Sequence, residues 1–129
     1  MTNIPELIRQ ARLARERAIA PHSGYPVGAA VLTESGKVYP GCNIESNAFP
    51  TTMCAERVAI FTAIASGERS FKALAVVSND GAAPCGACRQ VIYEQCGEIP
   101  IYVVRPDGHT QQEFYSSQLL PFPFDPEKS

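Results

Sequence analysis

The strongest constraint on how this chain folds is a motif in two pieces: Cys54-Ala55-Glu56-Arg57, and much later Pro84-Cys85-Gly86-Ala87-Cys88-Arg89-Gln90. Three thiols can hold a tetrahedral metal ion and leave one corner open, which is the arrangement of a catalytic zinc rather than a structural one. Glu56 stands two residues past the first thiol, where a metal-activated water needs a proton partner. Cys85 and Cys88 are three residues apart, so on a helix both sulfurs reach one ion. Cys54 falls in the first turn of one predicted helix, and Cys85 and Cys88 in the first turn of another. Helix starts carry partial positive charge and free N–H groups, and both favour thiolates. The fold therefore has to bring two helix starts face to face.

Hydrophobic spacing supplies the elements. Ile4, Leu7, Ile8, Ala11, Ala14 and Ala18 recur at helical intervals, with Arg9, Arg12, Arg15 and Glu16 on the solvated side and Pro21 as the stop. Val27 to Thr33 and Lys37 to Ile44 read as a hairpin around Glu34-Ser35-Gly36-Lys37. Thr51-Thr52 is expected to cap a helix from about Met53 to Ser66, ended by Gly67. Leu74 to Ser78 reads as a buried strand, Cys85 to Cys96 as a helix stopped by Gly97, and Ile99 to Arg105 as a strand before a Pro106-Asp107-Gly108 turn. A last short strand is expected near Gln111 to Phe114, then a short helix over Ser116 to Leu120. Interleaved strands and helices predict an α/β fold, a three-layer α/β/α sandwich around a mixed, roughly five-stranded sheet. Residues 1–129 are expected to form a single catalytic domain, a length that suits one core.

Net charge is −2, which argues against a polymer of nucleic acid as partner and fits a small substrate better. No apolar run approaches the ~18 residues that a membrane span needs. Met1 to Pro5 shows no basic segment leading into an apolar one, so a cytoplasmic location is expected. In that setting five cysteines point to metal or catalytic use rather than to disulfides.

Each part of the motif has a plainer reading. Cys-x-x-Cys alone fits a redox pair, but such a pair has no use for Cys54-Ala55-Glu56. A structural zinc ribbon wants two knuckles and finds one here. Cys42 and Cys96 lack ligand spacing and read as small core residues. Glu56 shares a face with Ala59, Ile60 and Ala63 on a helix apolar nearly all round, which buries a carboxylate at a cost unless it is paired or employed. A capping box would need Ser or Thr where Met53 stands. Three thiolates on Zn²⁺ leave a net negative charge, which Arg57 or Arg89 could offset by donating to a sulfur.

Beyond these residues, Tyr25-Pro26-Val27-Gly28-Ala29-Ala30, Gly41-Cys42-Asn43-Ile44-Glu45 and Leu119-Leu120-Pro121 with Phe124 complete a set of stretches in fixed order. Together they resemble the small, homotetrameric, zinc-dependent cytidine deaminase family of pyrimidine salvage, over nearly the whole length. Glu followed later by Pro-Cys-x-x-Cys is also the general signature of zinc deaminases acting on nucleobases. The resemblance implies that Cys54, Cys85 and Cys88 hold Zn²⁺ and that Glu56 is the proton shuttle. It implies that Asn43 and Glu45 hydrogen-bond the ribose 3′-hydroxyl, consistent with two strand residues pointing the same way. It further implies that Tyr25 stacks on the base, that the Ala55 N–H contacts it, and that the Ala83 carbonyl receives the leaving amine. Phe124 corresponds to a tail aromatic that reaches a neighbouring subunit's site in a homotetramer, with a dimer as the alternative.

Three departures from the family pattern touch the nucleoside pocket or the subunit contact: Ser46-Asn47-Ala48-Phe49-Pro50 for Asn-Ala-Ser-Tyr, Pro21-His22-Ser23 for Pro-Tyr-Ser, and Tyr25 for phenylalanine. The implied reaction is hydrolytic deamination of cytidine or deoxycytidine to the uridine product with release of ammonia. A related deaminase of modified cytosine nucleosides such as blasticidin S shares the zinc motif but lacks the Asn-x-Glu pair. A polynucleotide editor would want a basic patch. A zinc-stabilised binding or redox module is the non-catalytic alternative, which metal content and free thiols would separate from an enzyme.

Overall fold

The computed structural model describes residues 3–126, so the first two residues of the stretch read for a secretory signal lie outside it. Helix α1 spans Ile4–Arg15 and is followed by the hairpin β1 (Gly28–Thr33) and β2 (Val38–Cys42). A 3₁₀ turn, Phe49–Thr51, leads into α2 (Ala55–Ala65), then β3 (Phe71–Val77), α3 (Gly86–Cys96), β4 (Pro100–Val104), β5 (Thr110–Tyr115) and the single turn α4 (Ser116–Leu119). The five strands form one mixed sheet in the order β2-β1-β3-β4-β5, parallel only between β3 and β4.

Both faces of the sheet are covered, which is why the central strands read as continuous apolar runs. Ala29, Val31, Leu74, Val76 and Ile101 pack against Ala59, Ile60 and Ala63 of α2 and Ile92 of α3. Their alternates Ala30, Leu32, Ala73, Ala75 and Val77 pack against Leu7 and Ala11 of α1. The expected three-layer arrangement is thus found.

Two glycines set how closely the helices approach. A Cβ on Gly28 would fall 2.8 Å from the Arg15 Cα, and one on Gly41 would fall 2.6 Å from the Ala55 carbonyl oxygen. Backbone touches backbone at both points, so the end of α1 and the start of α2 are pressed onto the same end of the sheet.

Several boundaries differ from expectation. Helix α1 stops at Arg15 and does not reach Ala18, because the chain turns to lay Ile19 beside Ile44, with Ile19 N–H donating to the Asn43 carbonyl at 3.0 Å. Helix α2 starts at Ala55, with Cys54 rather than Thr52 as its N-cap. Met53 cannot join it, because its N–H and C=O both pair with Ile44. The Thr52 hydroxyl accepts the Ser46 N–H at 3.0 Å instead of capping. Strand β3 begins at Phe71, because Phe71 pairs with Thr33 and the exposed Lys72 interrupts only the hydrophobic pattern, not the ladder.

Candidate active site

The end of β3, the entry to β1 and the exit of β2 lie together, since Gly28 pairs with both Val77 and Cys42. Helices α2 and α3 both start there. Between them opens a cleft of about 420 Å³, lined among others by Tyr25, Asn43, Glu45, Cys54, Glu56 and Ala83.

At its floor Cys54 and Cys85, the N-cap residues of α2 and α3, meet Cys88 from the first turn of α3. The sulfurs of Cys54 and Cys85 are 3.8 Å apart, and those of Cys85 and Cys88 3.4 Å. All three sulfurs lie within 4.8 Å of one another, and among the described residues no other His, Cys, Asp or Glu joins them in such a group. No disulfide is present among them. Arg57 Nη2 donates to the Cys54 sulfur at 3.3 Å, while its Nε is buried with no hydrogen-bond partner. A Cys88 thiol and the Arg57 guanidinium, both directed at Cys54, hold that thiol down at about 5. The Cys88 thiol is pushed up by its bond to Cys54 and by its own burial. Three soft donors, one already favoured as thiolate, with a cation at its back, are a donor set that fits Zn²⁺ and leaves one corner free.

Glu56 is 5% exposed, on the turn of α2 directly after Cys54. Burial pushes its carboxyl up from an ordinary value of 4.5 to about 7. A carboxyl poised there can take and return a proton near neutral pH.

Asn43 and Glu45 lie beyond the end of β2, not within a strand, yet both line the cleft. The Asn43 amide spans the opposite wall: its Oδ1 accepts the Val27 N–H at 2.8 Å and its Nδ2 donates to the Tyr25 carbonyl at 2.9 Å. Glu45 Oε1 accepts the N–H groups of His22 and Ser23 at 2.9 and 3.1 Å, and Oε2 accepts the Ser23 hydroxyl. The Ser23 hydroxyl and these N–H groups hold the Glu45 carboxyl below the usual carboxylate range. Its outer side faces a T-shaped contact between His22 and Phe49, ring centroids 5.2 Å apart, so two of the departures from the family pattern meet.

Some expected residues fall elsewhere. Arg89 does not reach a sulfur; its Nε donates to the Pro84 carbonyl at 2.7 Å and its Nη1 to the Leu119 carbonyl at 3.2 Å. Phe124 is exposed and lines a separate recess beside Tyr93, not this cleft. Cys96 sits at the end of α3, where burial pushes its thiol to about 12. Asp80, which meets the Tyr25 hydroxyl, was not anticipated. Its only signal is a turn sequence, Asn79-Asp80-Gly81, directly after a strand.

Residues 1–104 match the family model described as the cytidine and deoxycytidylate deaminase zinc-binding region. The chain belongs to that family. It is 48% identical over 128 residues to a cytidine deaminase from Sporosarcina psychrophila, covering 97% of this chain and 93% of that protein. The crystal structure of cytidine deaminase from Burkholderia pseudomallei superposes with a TM-score of 0.89 at 42% identity, covering 96% of this chain and 100% of that one. That of cytidine deaminase from Mycobacterium tuberculosis gives 0.84 at 33% identity, covering 97% and 99%. The protein is therefore a zinc-dependent deaminase, a hydrolase. No helix among the described residues is long and apolar enough to cross a membrane.

Proposed function

We propose that this protein catalyses the hydrolytic deamination of cytidine and deoxycytidine to uridine and deoxyuridine. The observation that carries the reading is the buried Glu56 carboxyl beside three converging cysteine sulfurs on the cleft floor. The family description names one nucleoside, cytidine, and one nucleotide, deoxycytidylate. Among the described residues lining the cleft there is no Lys, Arg or His, whereas the Glu45 carboxylate is there. A phosphate would find acidic side chains and no basic one among these residues, so a nucleoside is favoured over a nucleotide.

Zinc held by Cys54, Cys85 and Cys88 supplies, when bound, the Lewis acidity that makes a water nucleophilic near neutral pH. The chain's own residues manage protons and position. Glu56 takes a proton from the attacking water and delivers it to ring N3 as the new C–O bond forms at C4. It then carries the second proton to the exocyclic amine, the C4–N bond breaks, and ammonia leaves. The Ala55 N–H, unpaired within its helix as a first-turn donor, is free to meet the base. The Ala83 carbonyl receives the amine, and the Tyr25 ring stacks on the base.

The sugar contact follows from what Asn43 and Glu45 have left over. Asn43 Nδ2 has a second hydrogen, and a carboxylate that accepts three bonds keeps about one lone-pair site. One hydroxyl, which accepts once and donates once, satisfies both. Phe124 is exposed and does not line its own cleft, which supports a role in a neighbouring copy's site within a homotetramer of one-domain subunits. Five free cysteines suit a reducing compartment, in keeping with cytoplasmic pyrimidine salvage.

The test is incubation with cytidine, deoxycytidine, deoxycytidine monophosphate and blasticidin S, following ultraviolet absorbance and ammonia release. Turnover of the two nucleosides is expected. Ammonia release from the monophosphate or from blasticidin S alone would overturn the reading.

A further inference from the structure

The turn after β3 is fastened by side chains that the deamination chemistry does not use. The Tyr25 hydroxyl donates to Asp80 Oδ1. Burial, followed by the Asp80 carboxylate itself, pushes the phenol up, so the proton stays on Tyr25 and the direction of the bond is fixed. One residue earlier, Asn79 Oδ1 accepts from Arg15 Nη2 at the end of α1. One residue earlier again, the buried Ser78 uses its hydroxyl to accept the Ala82 N–H at 3.0 Å. Gly81, at φ +66°, lets the chain reverse in a conformation other residues rarely adopt.

Three consecutive side chains therefore pin one short turn, and two of them tie it to the opposite wall. That wall is itself rigid. Asn43 holds the main chain on either side of Pro26, and Gly28 lets the end of α1 close onto β1. Immediately after the turn come Ala82, Ala83 and Cys85, which line the same cleft as the Tyr25 ring. The turn and the ring thus stand on two sides of one opening, joined by the Tyr25–Asp80 hydrogen bond, with the Ser78 hydroxyl also against the phenol.

We propose that the Tyr25–Asp80 hydrogen bond is a latch across the cleft mouth, which fixes the 78–83 turn against the Tyr25 wall and sets the width of the slot for the substrate's flat base. The inference rests on the reading that this cleft binds a cytosine nucleoside. A phenylalanine at position 25 would keep the ring and lose the latch, so Tyr25 and Asp80 act here as positioning residues for Ala82 and Ala83. Asp80 has no other side-chain role in view, and a carboxylate on an exposed turn gains nothing for the core.

Hydrogen exchange and steady-state kinetics together test this, on Tyr25→Phe, Asp80→Ala, Asp80→Asn and the Tyr25→Phe/Asp80→Ala double variant. In Tyr25→Phe and Asp80→Ala, amide exchange is expected to quicken in the peptide covering Ser78 to Cys85 and nowhere else. The double variant should match either single one. Asp80→Asn keeps an acceptor oxygen and should exchange like the parent. With cytidine, Tyr25→Phe should raise KM about fivefold, as loss of one hydrogen bond of ordinary net strength allows, with a smaller change in kcat. Unchanged exchange in Tyr25→Phe, a rise spread over the whole chain, or effects that multiply in the double variant would each overturn the latch. Should the parent release no ammonia from cytidine, the functional reading fails, and the exchange data still decide whether the latch exists.

Discussion

Arg57 places its guanidinium Nη2 3.3 Å from the sulfur of Cys54, one turn away on the same helix start. The contact is made across three residues of chain, so it forms as soon as α2 does. Three thiolates around a divalent ion carry one negative charge in excess, and Arg57 is the cation that the fold delivers to it. Replacing Arg57 by Ala is expected to lower zinc affinity or activity by about 10- to 100-fold, the usual cost of removing such a supporting group. Arg57→Lys should recover part of the loss, since the charge returns without the planar fork. Competition with a chromophoric chelator, read beside kcat/KM, checks both; unaltered values in Arg57→Ala would separate the arginine from the metal.

Glu56 makes the metal-stripped protein sensitive to pH. Its folded value, about 7, lies above its ordinary 4.5. Between those values the folded state keeps a Glu56 proton that the unfolded state has lost, so the Glu56 contribution to stability falls as pH rises through that window and levels off above it, while the lowered Cys54 thiol works in the opposite sense above about 5. The shift corresponds to a loss on the order of 3 kcal/mol. Urea unfolding of the chelator-treated parent and of Glu56→Gln should show the decline as the difference between the two proteins across that window. The same variant should retain zinc and lose turnover by roughly 10²- to 10⁴-fold, the range for a positioned acid–base group.

Gly41 admits no side chain. A methyl group there would meet the Ala55 carbonyl oxygen at 2.6 Å, and backbone cannot swing aside as a side-chain tip can. Gly41→Ala is expected to destabilise the fold by about 3 kcal/mol, at the upper end of overpacking costs. Because the obstacle stands at the first turn of α2, metal affinity should fall as well. Thermal unfolding with and without zinc measures the two effects, and an unchanged melting temperature would contradict this packing.

Arg89 braces the tail rather than the metal. Its bonds to the Pro84 and Leu119 carbonyls join the loop before α3 to the end of α4. Arg89→Ala should cost about 1–2 kcal/mol of stability, as expected for hydrogen bonds from a charged donor. Zinc content of the folded protein should be preserved. A variant that loses its zinc while still folded would show that Arg89 acts on the site.

Much of this was legible in the chain. The metal trio could be read because Cys85 and Cys88 share a face by helical spacing and Cys54 precedes a second helix. The burial of Glu56 follows from its sharing the face of Ala59, Ile60 and Ala63 on a helix apolar nearly all round. Arg57 and Arg89 could not be told apart, since both stand next to a motif and only the path of the backbone shows which one points to sulfur. Thr51 and Thr52 look like caps and point to an earlier start for α2, and nothing local reveals that Met53 is claimed by Ile44, nine residues away. The partnership of Tyr25 with Asp80 is invisible for a similar reason: it spans 55 residues, and Asp80 belongs to no motif.

The wall opposite the metal has one further consequence. Asn43 and Glu45 are immobilised by the backbone of residues 22–27 before any ligand arrives, and each keeps one hydrogen-bonding position unused. Their rotamer freedom is surrendered during folding, not at the moment of encounter. In the proposed reaction a sugar hydroxyl would dock into a lock whose pins are already set, and the affinity gained from that contact would not be eroded by the entropy of ordering two side chains.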